Sequence, residues 1–131
     1  MNKRNLIIGA VLGLLAIIIG AFGSHGLKTL IDTDAQNTFE IGVRYQMYHA
    51  LFLLALGSMK FINHRTQQII GSLVLFGIIL FSGSIYGLAT NALFSFDFKV
   101  IGFVTPIGGL FLIFAWLILL INFLKMKRDK S

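Results

Sequence analysis

The sequence predicts an all-α polytopic membrane protein: a bundle of four transmembrane helices with both termini in the cytoplasm. Three observations predict it. Four long apolar stretches, residues 6–22, 45–62, 69–89 and 100–124, fill most of the 131-residue chain. Each is close to the roughly 17–25 residues that a helix needs to cross a bilayer. The composition is 56% hydrophobic and 12% charged, with mean hydropathy +0.86, where an ordinary globular chain is about 25% charged. Finally, the basic residues fall mainly on one side of the path that these stretches imply.

The first stretch follows Lys3 and Arg4. Those two cations, the apolar run and Ala21-Phe22-Gly23 also resemble a signal peptide with a small-residue cleavage site. The run is longer than a usual signal core and carries glycines at packing spacing, which favours an uncleaved first helix. Gly9 and Gly13, then Ala16 and Gly20, form a small-residue stripe of the kind that lets helix backbones approach closely in lipid. The loop that follows, about residues 23–44, holds Asp32, Thr33, Asp34 and Glu40. Thr33 or Asp34 is placed to cap a short helix that runs towards Arg44 and into the second span.

A tight turn around Asn63, His64, Arg65 and Thr66 makes helices two and three antiparallel neighbours. Helix three carries Gly83 and Gly87 at the four-residue spacing, with Ser82 and Ser84 beside them. A short loop, about residues 90–99, leads into helix four, which opens with Gly102, Pro106, Gly108 and Gly109. Pro106 has no N–H, so it is expected to leave the carbonyl of Gly102 without an intrahelical donor. A hydroxyl, an imidazole or water then has to satisfy that carbonyl. The chain closes on a basic tail with Lys125, Lys127, Arg128 and Lys130.

Orientation follows from the short flanks. Lys3, Arg4, Lys60, Arg65 and the four tail residues lie on one side. Only Lys28, Arg44 and Lys99 lie on the other, diluted by Asp32, Asp34, Glu40 and Asp97. A bias of that size over short loops places the basic side in the cytoplasm. The net charge of +6 therefore points to the lipid bilayer, with anionic headgroups on the cytoplasmic side. The basic residues flank apolar spans and make no folded basic domain, so no nucleic-acid partner is expected. There is no cysteine, which excludes disulfides, thiolate chemistry and an iron–sulfur cluster. The whole chain reads as a single integral membrane domain, residues 1–131.

With that threading, the intramembrane polar residues converge at the outer end. His25 ends helix one; Arg44, Tyr45, Gln46 and His49 lie at the start of helix two; Ser82, Ser84 and Tyr86 lie in the outer half of helix three; Thr105 starts helix four. The inner halves are expected to offer only Ser58 and Ser72. Tyr45 and His49 share a helix face, as do Ser82 and Tyr86. An ionisable group at the depth of His49 is costly unless it faces the bundle interior and finds a partner. The nine outer residues are therefore expected to line a polar pocket that opens outward. Interfacial anchoring by Arg44 and Tyr45, and hydroxyl-to-carbonyl bonds from the serines and Thr105, are the plainer alternatives.

Catalytic constellations are not visible. His25 and His49 have no intramembrane Asp, Glu or Cys to complete a zinc site, and Ser82 or Ser84 with His49 lacks a group to orient the imidazole. No cofactor, no metal and no enzyme activity are expected.

Four blocks also carry a family resemblance. They are Gly20-Ala21-Phe22-Gly23-Ser24-His25-Gly26-Leu27, Tyr45-Gln46-Met47-Tyr48-His49, Phe81-Ser82-Gly83-Ser84-Ile85-Tyr86 and Thr105-Pro106-Ile107-Gly108-Gly109, with Trp116 following. In this order they resemble the small four-helix membrane proteins catalogued as domain of unknown function 423, which have bacterial and eukaryotic members. The resemblance implies a multi-pass protein of the bacterial plasma (inner) membrane and brings no catalytic residues with it. Two functional expectations follow from the residues. One is a non-enzymatic membrane component that binds lipid or a partner protein through the outer cluster. The other is a small oligomeric transporter for a small polar solute or lipid headgroup. Glycine-lined faces are compatible with a homo-oligomer or a protein partner.

Overall fold

The computed structural model describes residues 1–126; the tail cations Lys127, Arg128 and Lys130 lie outside the described residues. Four helices make the fold: α1 (Lys3–His25), α2 (Thr33–Ser58), α3 (His64–Ala89) and α4 (Val104–Lys125). At 22 to 26 residues they are roughly 33–39 Å long at 1.5 Å per residue. Three segments are long and apolar enough to cross a membrane: α1, α3, and α4 with the 3-10 turn that precedes it. The second helix is longer and more polar than its apolar stretch suggests. It begins at Thr33 and takes in Asp34, Glu40 and Arg44, so these three belong to a helix and the first connection shrinks to residues 26–32.

Side-chain caps set the starts. Asn2 Oδ1 accepts from the Asn5 N–H at 3.0 Å, Asp32 Oδ1 from Ala35 at 2.7 Å and Asn63 Oδ1 from Thr66 at 2.8 Å. Each satisfies one of the donors that a helix leaves open in its first turn. The cap of α2 is thus Asp32, one residue before the two expected. In α3 the cap at Asn63 draws His64, Arg65 and Thr66 into the first helical turn, and the turn itself is residues 59–63. At α4 the helix starts later than expected. Pro106 falls in its first turn and the Gly102 carbonyl accepts the Thr105 N–H at 3.4 Å. No helical bond is broken there, because first-turn donors lack partners within the helix in any case.

The helices run antiparallel in chain order. α2 and α3 form the central pair, α1 packs along α2, and α4 packs along α3. The core joins Leu53 and Leu56 of α2, Ile70, Val74 and Ile78 of α3, Leu12 of α1, and Leu112 and Ala115 of α4. A smaller cluster of Leu27, Ile31, Phe39 and Ala89 seals the end that carries the 26–32 and 90–103 connections, the loop end. The opposite, terminal end carries Met1, the 59–63 turn and Lys125. Large apolar side chains such as Leu14, Ile17, Ile113 and Leu120 point outward, more than half exposed. An apolar exterior is what a bilayer solvates and water does not.

Small residues set the helix spacing where the sequence placed them on α1. A methyl on Gly9 would stand 2.9 Å from the Ala50 carbonyl oxygen, and one on Gly20 would stand 3.2 Å from Val43 Cγ1. α3 and α4 approach closely at Gly108, where an added Cβ would overlap the backbone of Phe81 and meet the Gly77 carbonyl oxygen at 2.8 Å. Gly83 does not pack as expected: nothing lies within 4 Å of where its Cβ would be. The four-residue spacing brought Gly87 against Phe98 and left Gly83 facing outward.

Candidate functional site

Gln46 lies midway along α2 and not at its outer start as the sequence predicts, because the helix begins at Thr33. Its carboxamide is buried between three helices. Nε2 donates to the Leu12 carbonyl of α1 at 2.9 Å, and Oε1 accepts from the Tyr86 hydroxyl of α3 at 2.6 Å. One turn earlier in α2, the Gly42 carbonyl accepts from Ser82 Oγ at 2.8 Å. Gly42 is required here: a Cβ at that position would stand 2.7 Å from the Tyr86 ring. Tyr86 stacks obliquely on Phe39, with ring centroids 5.0 Å apart. Gln46, Ser82 and Tyr86, three of the nine expected residues, are therefore brought together as an interhelical hydrogen-bond network.

His49 belongs to a different contact. Trp116 Nε1, which can only donate, lies 3.1 Å from His49 Nε2, and His49 Nδ1 lies 2.8 Å from the Tyr45 carbonyl oxygen, which can only accept. Partner chemistry thus assigns a neutral imidazole with its proton on Nδ1. Both ring nitrogens are occupied, and the ring sits edge-on to Trp116 (centroids 6.1 Å). His49 joins α2 to α4 and lies apart from His25. Ser84 and Thr105 form a third lock, between α3 and α4: their hydroxyls are 2.5 Å apart and Ser84 Oγ donates to the Phe81 carbonyl at 3.0 Å.

The remaining three lie on the exterior. His25 is exposed at the end of α1. Tyr45 is 42% exposed, with its ring against Tyr48 and Phe81. Arg44 pairs with Glu40 across one turn of α2 at 2.8 Å, both side chains more than half exposed.

A cavity of about 480 Å³ lies beside this cluster, between α1 and the first half of α2. Arg44 alone of the nine residues lines it. Ala16, Ile17, Gly20 and Ala21 form the α1 wall; Phe39, Val43 and Met47 form the apolar α2 wall; Asn37, Glu40 and Arg44 stand at its rim. Asn37 and Glu40 escaped the sequence reading because the short helix expected there was placed in the outer connection, before the second span. Once α2 is extended to Thr33, the spacing of Asn37, Glu40 and Arg44 puts all three on one helix face.

The terminal end corrects the expectation that the inner halves are nearly devoid of polar groups. Asn5 is fully buried; its Nδ2 donates to Gln67 Oε1 at 2.8 Å and to the Gln67 carbonyl at 2.9 Å. Gln67 Nε2 in turn donates to the Leu56 carbonyl, tying α1, α2 and α3 together. Arg4 reaches Gln68 Oε1 at 3.2 Å and Ser72 Oγ at 2.8 Å, and the Asn2 N–H donates to the Gly57 carbonyl at 2.8 Å. Asn2, Arg4, Asn5, Gln67 and Gln68 sat just outside the apolar stretches, where hydropathy assigns no depth; Ser72 was foreseen, and Asn122 lay within a stretch and was passed over. Among the described residues no three His, Cys, Asp or Glu side chains come together as a metal site.

Comparison with known proteins places this architecture. A family model described as "Protein of unknown function (DUF423)" matches residues 19–109, which include α2, α3, the Gln46–Tyr86 and Ser84–Thr105 contacts and the residues of the groove from Gly20 onward. The chain is 39% identical to a UPF0382 membrane protein of Staphylococcus saprophyticus, over 95% of this chain and 99% of that one. It is 36% identical to the UPF0382 membrane protein YwdK of Bacillus subtilis (94% and 98%) and 33% identical to a UPF0382 membrane protein of Haemophilus influenzae (97% and 98%). No solved structure matches. Through the family model and these full-length relatives, the chain belongs to the DUF423 family, whose relatives named here are UPF0382 membrane proteins.

Proposed function

We propose that the chain is a non-enzymatic component of the bacterial plasma membrane that binds lipid in the groove between α1 and α2. In this reading all four helices span the bilayer, with both termini cytoplasmic and the loop end facing out. The lysine and arginine bias supports that orientation. The polar character of α2 is no obstacle to spanning, since Gln46 and His49 are buried against neighbouring helices and meet partners there.

The observation that carries the reading is the groove itself. Its walls are apolar where they face the middle of the bundle and polar at the level of Asn37, Glu40 and Arg44. Its volume of about 480 Å³ is in the usual range of ligand sites. An elongated amphiphile whose chain lies along Ile17, Val43 and Met47 and whose head reaches the rim fits that polarity. The loop-end hydroxyls and amides favour this over a transport path, because they bond to one another and to backbone carbonyls across the helices. His49 supports a non-catalytic reading in the same way, since neither ring nitrogen is free to take a substrate proton.

The test is lipid retention. Ala21 lines the groove from an exposed position, so Ala21→Phe fills the space without disturbing the core. Wild-type protein released from native lipid patches into a mass spectrometer should carry tightly held lipid that the variant lacks. Equal retention by the two proteins, or none by either, would overturn the reading.

A further inference from the structure

The rim of the groove has an order along the membrane normal. α2 starts at the loop end, so Asn37 is nearest the surface, Glu40 is one turn deeper and Arg44 another turn deeper. Glu40 and Arg44 are about 6 Å apart along the helix axis. Below Arg44 the lining becomes apolar, with Met47, Ala16 and Ile17. From the surface inward the groove therefore presents an amide, a carboxylate, a guanidinium and then hydrocarbon. Glu40 and Arg44 bond to each other at 2.8 Å, so the rim carries two opposite charges and no net charge.

We infer that this rim recognises the headgroup of a zwitterionic phospholipid with a primary ammonium, the phosphate at Arg44 and the ammonium at Glu40 and Asn37. The inference rests on the lipid reading of the groove and gives it a ligand class. In such a lipid the phosphate joins the acyl-bearing glycerol and the ammonium is terminal, so its charges run in the same order as the rim. The guanidinium offers a paired donor fork to phosphate oxygens. The carboxylate and the Asn37 carbonyl accept from the three ammonium N–H groups. A headgroup with only negative charge would meet the Glu40 carboxylate unfavourably. A trimethylated headgroup has no N–H to donate to it.

The experiment places the purified full chain in nanodiscs of equimolar phosphatidylethanolamine, phosphatidylglycerol and phosphatidylcholine with identical acyl chains. Mass spectrometry of the released protein then reads the bound lipid. The wild type should retain phosphatidylethanolamine over the other two by on the order of fivefold, the size of one exposed charge pair. Arg44→Gln and Glu40→Gln should each abolish that preference. The double exchange Glu40→Arg with Arg44→Glu keeps an ion pair on the same turn but reverses its direction, and should also abolish it. Lipid retained by the wild type with no headgroup preference, or a preference unchanged in the double exchange, would overturn the headgroup assignment while leaving lipid binding intact. Absence of any retained lipid would overturn both.

Discussion

Replacing Gln46 with Leu removes two hydrogen bonds that span three helices and leaves the volume nearly unchanged. Interhelical hydrogen bonds in membrane proteins average about 0.6 kcal/mol and reach about 1.7 kcal/mol. The loss of the Leu12 and Tyr86 contacts should therefore cost about 1.2 kcal/mol. The extra leucine gains little, since lipid is as apolar as the bundle interior. Tyr86→Phe should cost about 0.6 kcal/mol, because it removes one of the two bonds. The informative quantity is the coupling between them in a double-mutant cycle, measured by reversible unfolding in bicelles. It should lie between about 0.6 and 1.7 kcal/mol. In a hydrated pocket, water would replace the Tyr86 hydroxyl and the two substitutions would add. A coupling under about 0.3 kcal/mol, the scatter of independent sites, would refute the direct 2.6 Å bond as a structural lock.

Four further outcomes follow from the packing and the threading. Gly108→Ala should destabilise by about 1–3 kcal/mol, since the new methyl meets backbone atoms of α3 that cannot rotate away. Gly83→Ala, which meets nothing, should instead be neutral or stabilise by up to about 1 kcal/mol through helix propensity, and thermal unfolding of the two side by side checks both. His49→Phe should weaken the α2–α4 contact and lower the midpoint of unfolding by about as much as Trp116→Phe, with no added effect in the double variant; strict additivity would argue that the 3.1 Å contact does not form. In a chain without cysteine, single cysteines introduced at Ser24 and at Lys60 should react with a membrane-impermeant thiol reagent from opposite sides of the membrane, and labelling from the same side would overturn the four-span threading.

The helices were legible because a bilayer demands length and hydropathy, and these are linear in sequence. What the sequence reading blurred were the ends, and polar residues decide those. Asp32 and Asn63 are short side chains that cap whichever turn follows, and their effect is a matter of a few atoms. The extension of α2 to Thr33 is a case in point: Asp34, Glu40 and Arg44 depress its hydropathy, yet Glu40 and Arg44 support one another on the same helix face. The candidate site was legible in composition and not in connectivity. Nine residues were gathered at one end by depth alone; the start of α2 at Thr33 moves Gln46 and His49 to the middle of that helix, and depth does not say which way a side chain turns about its helix. The structure sorts them by azimuth: Gln46, Ser82 and Tyr86 inward, Ser84 and Thr105 towards each other, Arg44 outward to the groove.

The terminal end shows why azimuth matters for function as well as for packing. Asn5 and Arg4 of α1 bond to Gln67, Gln68 and Ser72 of α3, and Gln67 reaches the Leu56 carbonyl of α2, so the three helices are pinned where they leave the bundle. The packing leaves no slack: a methyl on Gly71 would overlap the Asn5 carboxamide. Towards the loop end α1 and α2 stay in contact beside the groove, through Gln46 on the Leu12 carbonyl, Gly20 against Val43 and Gly23 against Phe39. The width of a groove between two antiparallel helices depends on how each is seated along its whole length, the terminal clasp included. Gly71→Ala should therefore act at a distance. By displacing α1 at Asn5 it should loosen lipid retention in the groove at the opposite end, although neither residue lines it. If lipid binding survives Gly71→Ala at wild-type levels while stability falls by about 1–3 kcal/mol, the groove is set by local packing at Gly20 and Val43, and the terminal clasp has no part in its shape.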